Sequence, residues 1–387
     1  MARQNSWLVV LGLLAATAAG SVARCEAAET DANIWPWSTP SIVITQLPNA
    51  AHPALAYSAS GTAHAVWETS GAIMYSFRSP GQGWSAPVRL AAGMTPELIA
   101  DSVGGLHVVF ANQFMGNYEI YYVRRQTGTW SLPVNVSRTS GASGHPAIAV
   151  GVDGSLHIAW TDNTPGYNTI YCGKWDGRFW ITQPVQNARG QAPALAAAQD
   201  RSLYLAWQEQ IHPDADPPTP YEIFLSQYIG GRWSLPVNIS DSPDSQSLGA
   251  GVTSSSESVA HLVWTEQGRE VKYAYGRGTT WSPVRPVWQA TASASAPAIL
   301  AERSNFLYIA WDEGATVRVT SAPPGTSDWP VPNTPPTTGG AAREVTLALL
   351  PQGGAALGWV QANLGNQAIY ESWQTRASQP RAWIPLW

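Results

Sequence analysis

Charge is scarce in this 387-residue chain. Charged residues make up 12% of it, 21 Lys+Arg stand against 26 Asp+Glu, and lysine occurs only at Lys174 and Lys272. Displacing counterions from nucleic acid takes a basic face, so a formal net charge of −5 argues against that class of partner. Cysteine is nearly absent: Cys25 falls in an N-terminal leader and Cys172 in a predicted strand, so disulfides are not expected to hold the fold together. No HExxH, CxxC or EF-hand spacing occurs, which leaves no metal site to assign from motif. Beyond the N-terminus no apolar run is long enough to cross a bilayer.

What is plentiful is Gly (34), Pro (30) and Trp (20). Gly and Pro spread along a chain that is 44% hydrophobic disfavour long helices and exclude disorder, and they favour many short strands joined by turns. At the N-terminus, Arg3 precedes the apolar run Trp7 to Ala19, and Ser21-Val22-Ala23 offers a small-x-small exit. This reads as a secretory signal peptide, residues 1–23, followed by a leader, 24–33, and a single domain, 34–387. The expected destination is extracytoplasmic. Arg24 stands where a lipidation motif before Cys25 would carry a small residue, which disfavours lipid attachment.

The chain repeats itself seven times. One aromatic recurs at Trp67, Phe110, Trp160, Trp207, Trp264, Trp311 and Trp359, and a second at Trp84, Trp130, Trp180, Trp233, Trp281, Trp329 and Trp383. Each unit divides into four strand-like pieces, as in Pro-Ala-Ile-Ala, Leu-His-Ile-Ala-Trp, Ile-Tyr-Cys and Trp-Ile-x-x-Pro-Val of the third unit. A four-stranded unit of about 50 residues repeated in series is the signature of a propeller blade. The expectation is an all-β, single propeller of four-stranded antiparallel blades, seven in number with six or eight as the margin. It is closed by pairing of N- and C-terminal strands. Trp37-Ser38-Thr39-Pro40 and Trp383-Ile384-Pro385 both copy the outer-strand signature, so one end closes the ring and the other caps it.

In such a ring the turns leading into each innermost strand share a rim with the loops between second and third strands. The residue two after the repeated aromatic belongs there: Asn112, Asp162, Glu209, Glu266, Glu313 and Gln361, with Glu68 one step early in the first unit. Carboxylates and amides on a concave rim suit sugar hydroxyls, or a calcium ion as a weaker option, whereas the plainer reading is that they accept N–H bonds at strand ends. His64, His107, His157 and His261 share one strand position with Tyr204 and Tyr308, which reads as ring packing with a polar tip. His52 and His145 differ: each precedes the Pro opening an innermost strand, where it would line the mouth of the central channel. The fourth unit has the longest rim loop, Gln210 to Tyr221, carrying His212, Asp214 and Asp216, and the second, third and seventh are also extended. Unequal loops on a regular scaffold point to the working face.

The Gly-x-Trp-Ser-x-Pro-Val piece, as in Gly128 to Val134, resembles the BNR repeats of sialidase-like propellers along nearly the whole of residues 34–387. Of that family's Asp box only the Gly and Trp survive, as Gly177 and Trp180. The resemblance implies a substrate carboxylate held by three arginines, yet the stretch matching the first is Ala51-His52-Pro53-Ala54. Arg138, Arg189 and Arg343 lie in connections on the correct rim and stand as an alternative cluster. The expected function is therefore a secreted, non-catalytic binding propeller for a glycan or another extracellular or cell-surface polymer, without a cofactor. The competing readings are a sialidase-like glycoside hydrolase or polysaccharide lyase, with Asp162, Glu209 and Glu222 as candidate acids, and an envelope scaffold for a surface protein.

Overall fold

The computed structural model describes residues 36–375, apart from 115, 216–217, 337–339 and 364–365. The signal peptide, the leader as far as residue 33, Cys25, Asp216 and the Trp383 strand copy all lie outside the described residues. Within them the regular elements are strands, gathered into seven separate antiparallel sheets. Blade 1 runs from an innermost strand Ala50–Tyr57 through Ala63–Thr69 and Ala72–Arg78 to an outer strand Val88–Ala92. Blades 2 to 5 repeat this order from innermost strands Met94–Ala100, Ser143–Val150, Gly190–Ala197 and Ser247–Ser254. Blade 6 has three strands, Ala298–Ala301, Leu307–Glu313 and Thr316–Ala322, with a Val319–Asn333 bridge at its outer edge.

Blade 7 closes the ring. Its strands Ala342–Leu349, Ala355–Asn363 and Asn366–Gln374 take their outer neighbour from the other end of the chain, Ser41–Leu47. Ser41 pairs with Glu371 and Leu47 with Gln367. Just upstream, the Ser38 N–H donates to the Trp373 carbonyl at 2.8 Å, and the Trp373 N–H to Ser38 Oγ at 3.0 Å. Trp37 is buried against Trp359 and Tyr370. The N-terminal strand copy is thus the one that closes, covering the outer edge of Asn366–Gln374.

The two aromatic ladders have separate jobs. All seven second-strand aromatics, from Trp67 and Phe110 to Trp359, are fully buried between neighbouring sheets. The outer-strand tryptophans pack across the seams instead. Trp130, Trp180 and Trp329 each meet, edge to face, a tyrosine of the preceding blade (Tyr75, Tyr122, Tyr273) at 5.0, 5.2 and 5.3 Å between centroids. Each of those tyrosines in turn bonds the repeated histidine of its own blade. The outer strands of blades 2, 4 and 5 are broken in two around Pro133, Pro236 and Pro283. A proline in an edge strand donates nothing to a further strand, which protects the rim of the sheet.

Candidate functional site

The innermost strands enter through a repeated bulge. Register shifts separate Ala51 from Ala54, Met94 from Glu97, Gly144 from Ala147, Gln191 from Ala194, Leu248 from Gly251 and Arg343 from Thr346. Inside each lies a residue of positive φ: His52 (49°), Thr95 (49°), His145 (50°), Ala192 (53°), Gly249 (65°) and Glu344 (56°). A side chain carried on such a backbone is re-aimed onto the rim. The bulge N–H groups also latch blades together. Thr95, Ala192, Gly249 and Glu344 donate to Glu68, Thr161, Gln208 and Asp312 of the preceding blade, at 3.0 to 3.1 Å. At the closing seam the His52 N–H reaches Glu344 Oε2 at 2.5 Å.

The bulges surround a cavity of about 510 Å³ at the mouth of the central channel. His52, Glu97, Ser295, Asp312 and Glu344 supply its polar wall, and Pro53, Pro96, Pro146 and Pro193 form an apolar collar. The bulge residues are Glu, His, Thr and His in blades 7, 1, 2 and 3 but Ala192 and Gly249 in blades 4 and 5, so one half of the mouth is polar and the other low. His52 Nδ1 lies 3.2 Å from Glu68, and burial together with the nearby His52 charge lowers the pKa of His145. His52 lines the mouth cavity, whereas His145, at the equivalent bulge of blade 3, is not among its lining residues.

Glu97 was not legible as a candidate, although a signal existed. Aligned by register, the position following the bulge holds Ala54, Glu97, Ala147, Ala194, Gly251, Ala298 and Thr346. Six small residues and one carboxylate make Glu97 the unique member of the set. Its side chain is exposed to the channel, and desolvation by the surrounding wall of the mouth pushes its pKa up to about 7.

The acids two after the aromatic are mostly spent on their own blade. Asp162 is fully buried and accepts from Thr139 Oγ1 (2.7 Å), Ser143 Oγ (2.8 Å), the Thr164 N–H (2.8 Å) and the Trp160 indole (3.3 Å). Glu209 accepts from the Trp207 indole at 2.7 Å, and burial raises its pKa despite that bond and the charge of Arg189. Glu313 holds Thr291 and the Trp288 indole, while Glu266 lies 3.8 Å from Lys272. Asn112 sits half-buried opposite Glu119. Glu222 is 1% exposed and accepts from Ser240 Oγ and the Ser242 N–H, as Glu119 does from Ser137 and Thr139 in blade 2. Arg138 bonds the Asn135 carbonyl, Arg343 the Ala50 carbonyl, and none of the three rim arginines lines the mouth. Among the described residues no group of three or more His, Cys, Asp or Glu is placed to hold a metal ion.

The rim loops differ from expectation in two blades. In blades 2 and 7 the additional residues lengthen the strands, pairing as far as Phe114 with Asn117 and Asn363 with Asn366, so they project as hairpins. Their polar residues continue the two-residue alternation of a strand, which sequence alone cannot tell from a loop. True long loops occur in blades 3 and 4, and between them opens a cleft of about 180 Å³. Tyr167, Asn168, Arg189, Gln191, Gln210, Asp214 and Tyr221 line it. The Arg189 guanidinium lies 4.1 Å from the centroid of the Tyr167 ring. Asn168 Nδ2 donates to Gln191 Oε1 (2.9 Å), and Gln191 Nε2 to the Tyr221 hydroxyl (3.2 Å).

No protein-family model matches the chain, and no curated protein matches it in sequence. Solved structures do match in fold. A polysaccharide lyase of family PL25, an ulvan lyase bound to -[GlcA(1-4)Rha3S]-, superposes with a TM-score of 0.61 at 10% identity, covering 86% of this chain and 94% of the lyase. A fungal alcohol oxidase of the AA5 family, in complex with copper, gives 0.60 at 11% identity, over 89% of this chain and 77% of that one. A leech intramolecular trans-sialidase matches at 0.49 and 10% identity, over 87% and 70%. A lyase and an oxidase at equal distance show that the scaffold is shared and the chemistry is not. The lyase and oxidase likenesses agree in overall fold with the seven-sheet propeller described above.

Proposed function

We propose that this protein is an exported carbohydrate-binding propeller, whose ligand lies on the loop rim across the cleft between blades 3 and 4. The observation that carries this is the lining of that cleft. Tyr167 and Tyr221 offer rings, Asn168, Gln191 and Gln210 offer planar amides, and Arg189 and Asp214 balance each other in charge. Sugar rings present apolar C–H faces and a fringe of hydroxyls, which aromatic rings and amides in one concave site complement. A cleft of this size takes one or two sugar units, so affinity for a polymer comes from several weak contacts along the rim. The absence of catalysis in this reading is supported by Asp162 and Glu222, which are buried and bonded within their blades.

Binding to a glycan and polysaccharide array, with and without calcium, tests the proposal. Saturable binding without loss of ligand is expected, with Tyr167→Ala and Gln191→Ala each weakening it by about tenfold, or about 1.4 kcal/mol. An array without any binder, or binding indifferent to both substitutions, sinks the reading. A second reading, a hydrolase or lyase on the same scaffold, is favoured by one observation: Glu97 faces the mouth cavity as the one carboxylate at its position in the ring. New reducing ends or an unsaturated product released from an array hit would establish it over the first.

A further inference from the structure

We propose that the seam between blades 3 and 4 holds a second binding site, a pocket for a small phenol, formed where the repeat is missing a tyrosine. It is independent of the sugar cleft on the rim.

The pairing register shows what the repeat places there. The third-strand residue paired with the position just before the repeated aromatic is Tyr75, Tyr122, Leu225, Tyr273, Val319 and Glu371 in blades 1, 2, 4, 5, 6 and 7. In blade 3 it is Cys172, the smallest of the seven. Where the tyrosine is present, its hydroxyl meets Nδ1 of the repeated histidine at 2.7 to 2.9 Å, and its ring lies 5.0 to 5.3 Å from the tryptophan of the next blade. Blade 3 keeps the histidine and blade 4 the tryptophan, without the ring between them. His157 is 8% exposed. Its Nε2 is held by Ser155 Oγ at 3.1 Å, as Asp101 holds Nε2 of His107, which leaves Nδ1 on the side that the tyrosine hydroxyl takes in the other blades. No hydrogen bond reaches that Nδ1 from the described residues. Trp233, for its part, tilts onto Tyr228 of its own blade at 5.2 Å between centroids.

What remains is a gap of about 210 Å³. Its floor is the buried His157, Cys172 and Gly173, its walls are the half-buried rings of Tyr228 and Trp233, and exposed Lys174, Ile181 and Gln183 stand at its entrance. Packed interiors leave few voids larger than a water molecule, and an apolar cavity of about 150 Å³ is enough to take benzene. This gap differs from a wholly apolar one by a single buried acceptor. Burial holds the His157 ring neutral, and with its proton on Nε2, donated to Ser155, Nδ1 carries a lone pair. A phenol supplies both missing parts: a ring for Trp233 to meet edge to face, and a hydroxyl that donates to Nδ1. A sugar suits the floor less well, because one acceptor would leave its other hydroxyls unpaired.

Fluorine NMR titration of the purified protein with para-fluorophenol, and with fluorobenzene as the counterpart without a hydroxyl, tests this. Saturable binding of para-fluorophenol is expected, about fivefold tighter than fluorobenzene, the worth of one hydrogen bond. Cys172→Tyr, which rebuilds the repeat's own phenol inside the gap, should abolish binding of both probes. Cys172→Leu, the residue that blade 4 carries at this position, fills part of the gap and should weaken both. His157→Phe puts a ring where blades 4 and 6 carry Tyr204 and Tyr308; it should retain fluorobenzene and lose the preference for the phenol. Thermal melts confirm that the variants are folded. No saturable binding, equal affinity for the two probes, binding unchanged in the Cys172 variants, or a phenol preference that survives in His157→Phe overturns the proposal.

Discussion

His64, His107 and His261 each share a hydrogen bond between Nδ1 and a tyrosine hydroxyl of the next strand, at 2.7 to 2.9 Å. Burial holds these rings neutral, and His64, His157 and His261 are pushed down to about 4. The sign follows from linkage: between about pH 6.5 and 4 the unfolded chain binds protons on these rings and the folded one does not, so stability is lost as pH falls through that window. Each ring contributes on the order of 2–3 kcal/mol if its shift is fully expressed. Glu97, Glu209 and Glu371 act in the opposite sense, costing stability as pH rises above the ordinary carboxylate range, but Glu97 is open to solvent and expresses little of its shift, and four buried histidines stand against them. Urea midpoints followed by tryptophan fluorescence should therefore drop steeply between pH 6.5 and 4.5, less so in His261→Phe. A flat profile would contradict the burial of the rings. At this scale the sequence was half legible. The shared strand position of the histidines announced ring packing, but the tyrosine partners lie on another strand and the contacting tryptophans on another blade.

The clearest exception among the elements is in blade 3. Blades 1, 2 and 5 stack histidine, tyrosine and the next blade's tryptophan, but where the third strand of blade 3 should present tyrosine it carries Cys172. Beside it, His157, Lys174, Tyr228 and Trp233 enclose a gap of about 210 Å³. Cys172 is buried and unpaired, and burial raises its thiol pKa, which makes it an inert filler rather than a nucleophile. Cys172→Tyr should occupy the gap, offer its hydroxyl to His157 and raise the melting temperature by about 1–2 °C, equivalent to about 1 kcal/mol. A lower melting temperature would mean that the seam between blades 3 and 4 cannot accept the ring. The rim hairpins of blades 2 and 7 belong to this scale too. Whether residues beyond the aromatic continue a strand or leave it depends on pairing with the returning chain, which their polarity does not reveal.

Across the whole molecule, closure depends on a short segment. Ser41–Leu47 completes blade 7, and its seam with blade 1 buries an ion pair. Arg78 Nη2 meets Glu371 Oε1 at 2.5 Å, with the Tyr57 hydroxyl and the Trp84 indole on the same carboxylate at 3.0 and 3.2 Å. Arg78 also lies over Trp84 and Trp373, at 5.6 and 5.1 Å. Removing one partner of such a pair strands the other charge, at a cost of about 3–5 kcal/mol. Deleting residues 36–47 goes further, since it unpairs the outer edge of blade 7 and exposes Trp359 and Tyr370. The truncated chain should aggregate or melt at least 10 °C lower in gel filtration and calorimetry. A monomer with unchanged melting would show that the ring holds without its closing strand.

The sequence by itself determined the architecture: two tryptophan ladders in step and a period near 50 residues specify a propeller of about seven blades closed by its own termini, while which terminal copy closes it was decided by the fold. It could do so because blade packing is periodic, and a periodic demand on the chain leaves a periodic trace. The rim is where tertiary structure decided. Asp162, Glu209 and Glu313 stand at equivalent sequence positions, yet only the coordinates show that hydroxyls and indole N–H groups already occupy them. Glu97 and the Tyr167–Arg189 cleft gain their surroundings from blades distant in sequence. A site is formed where the repeat is broken and blades converge, and convergence of groups from separate blades is a property of the folded ring, not of any segment of the chain.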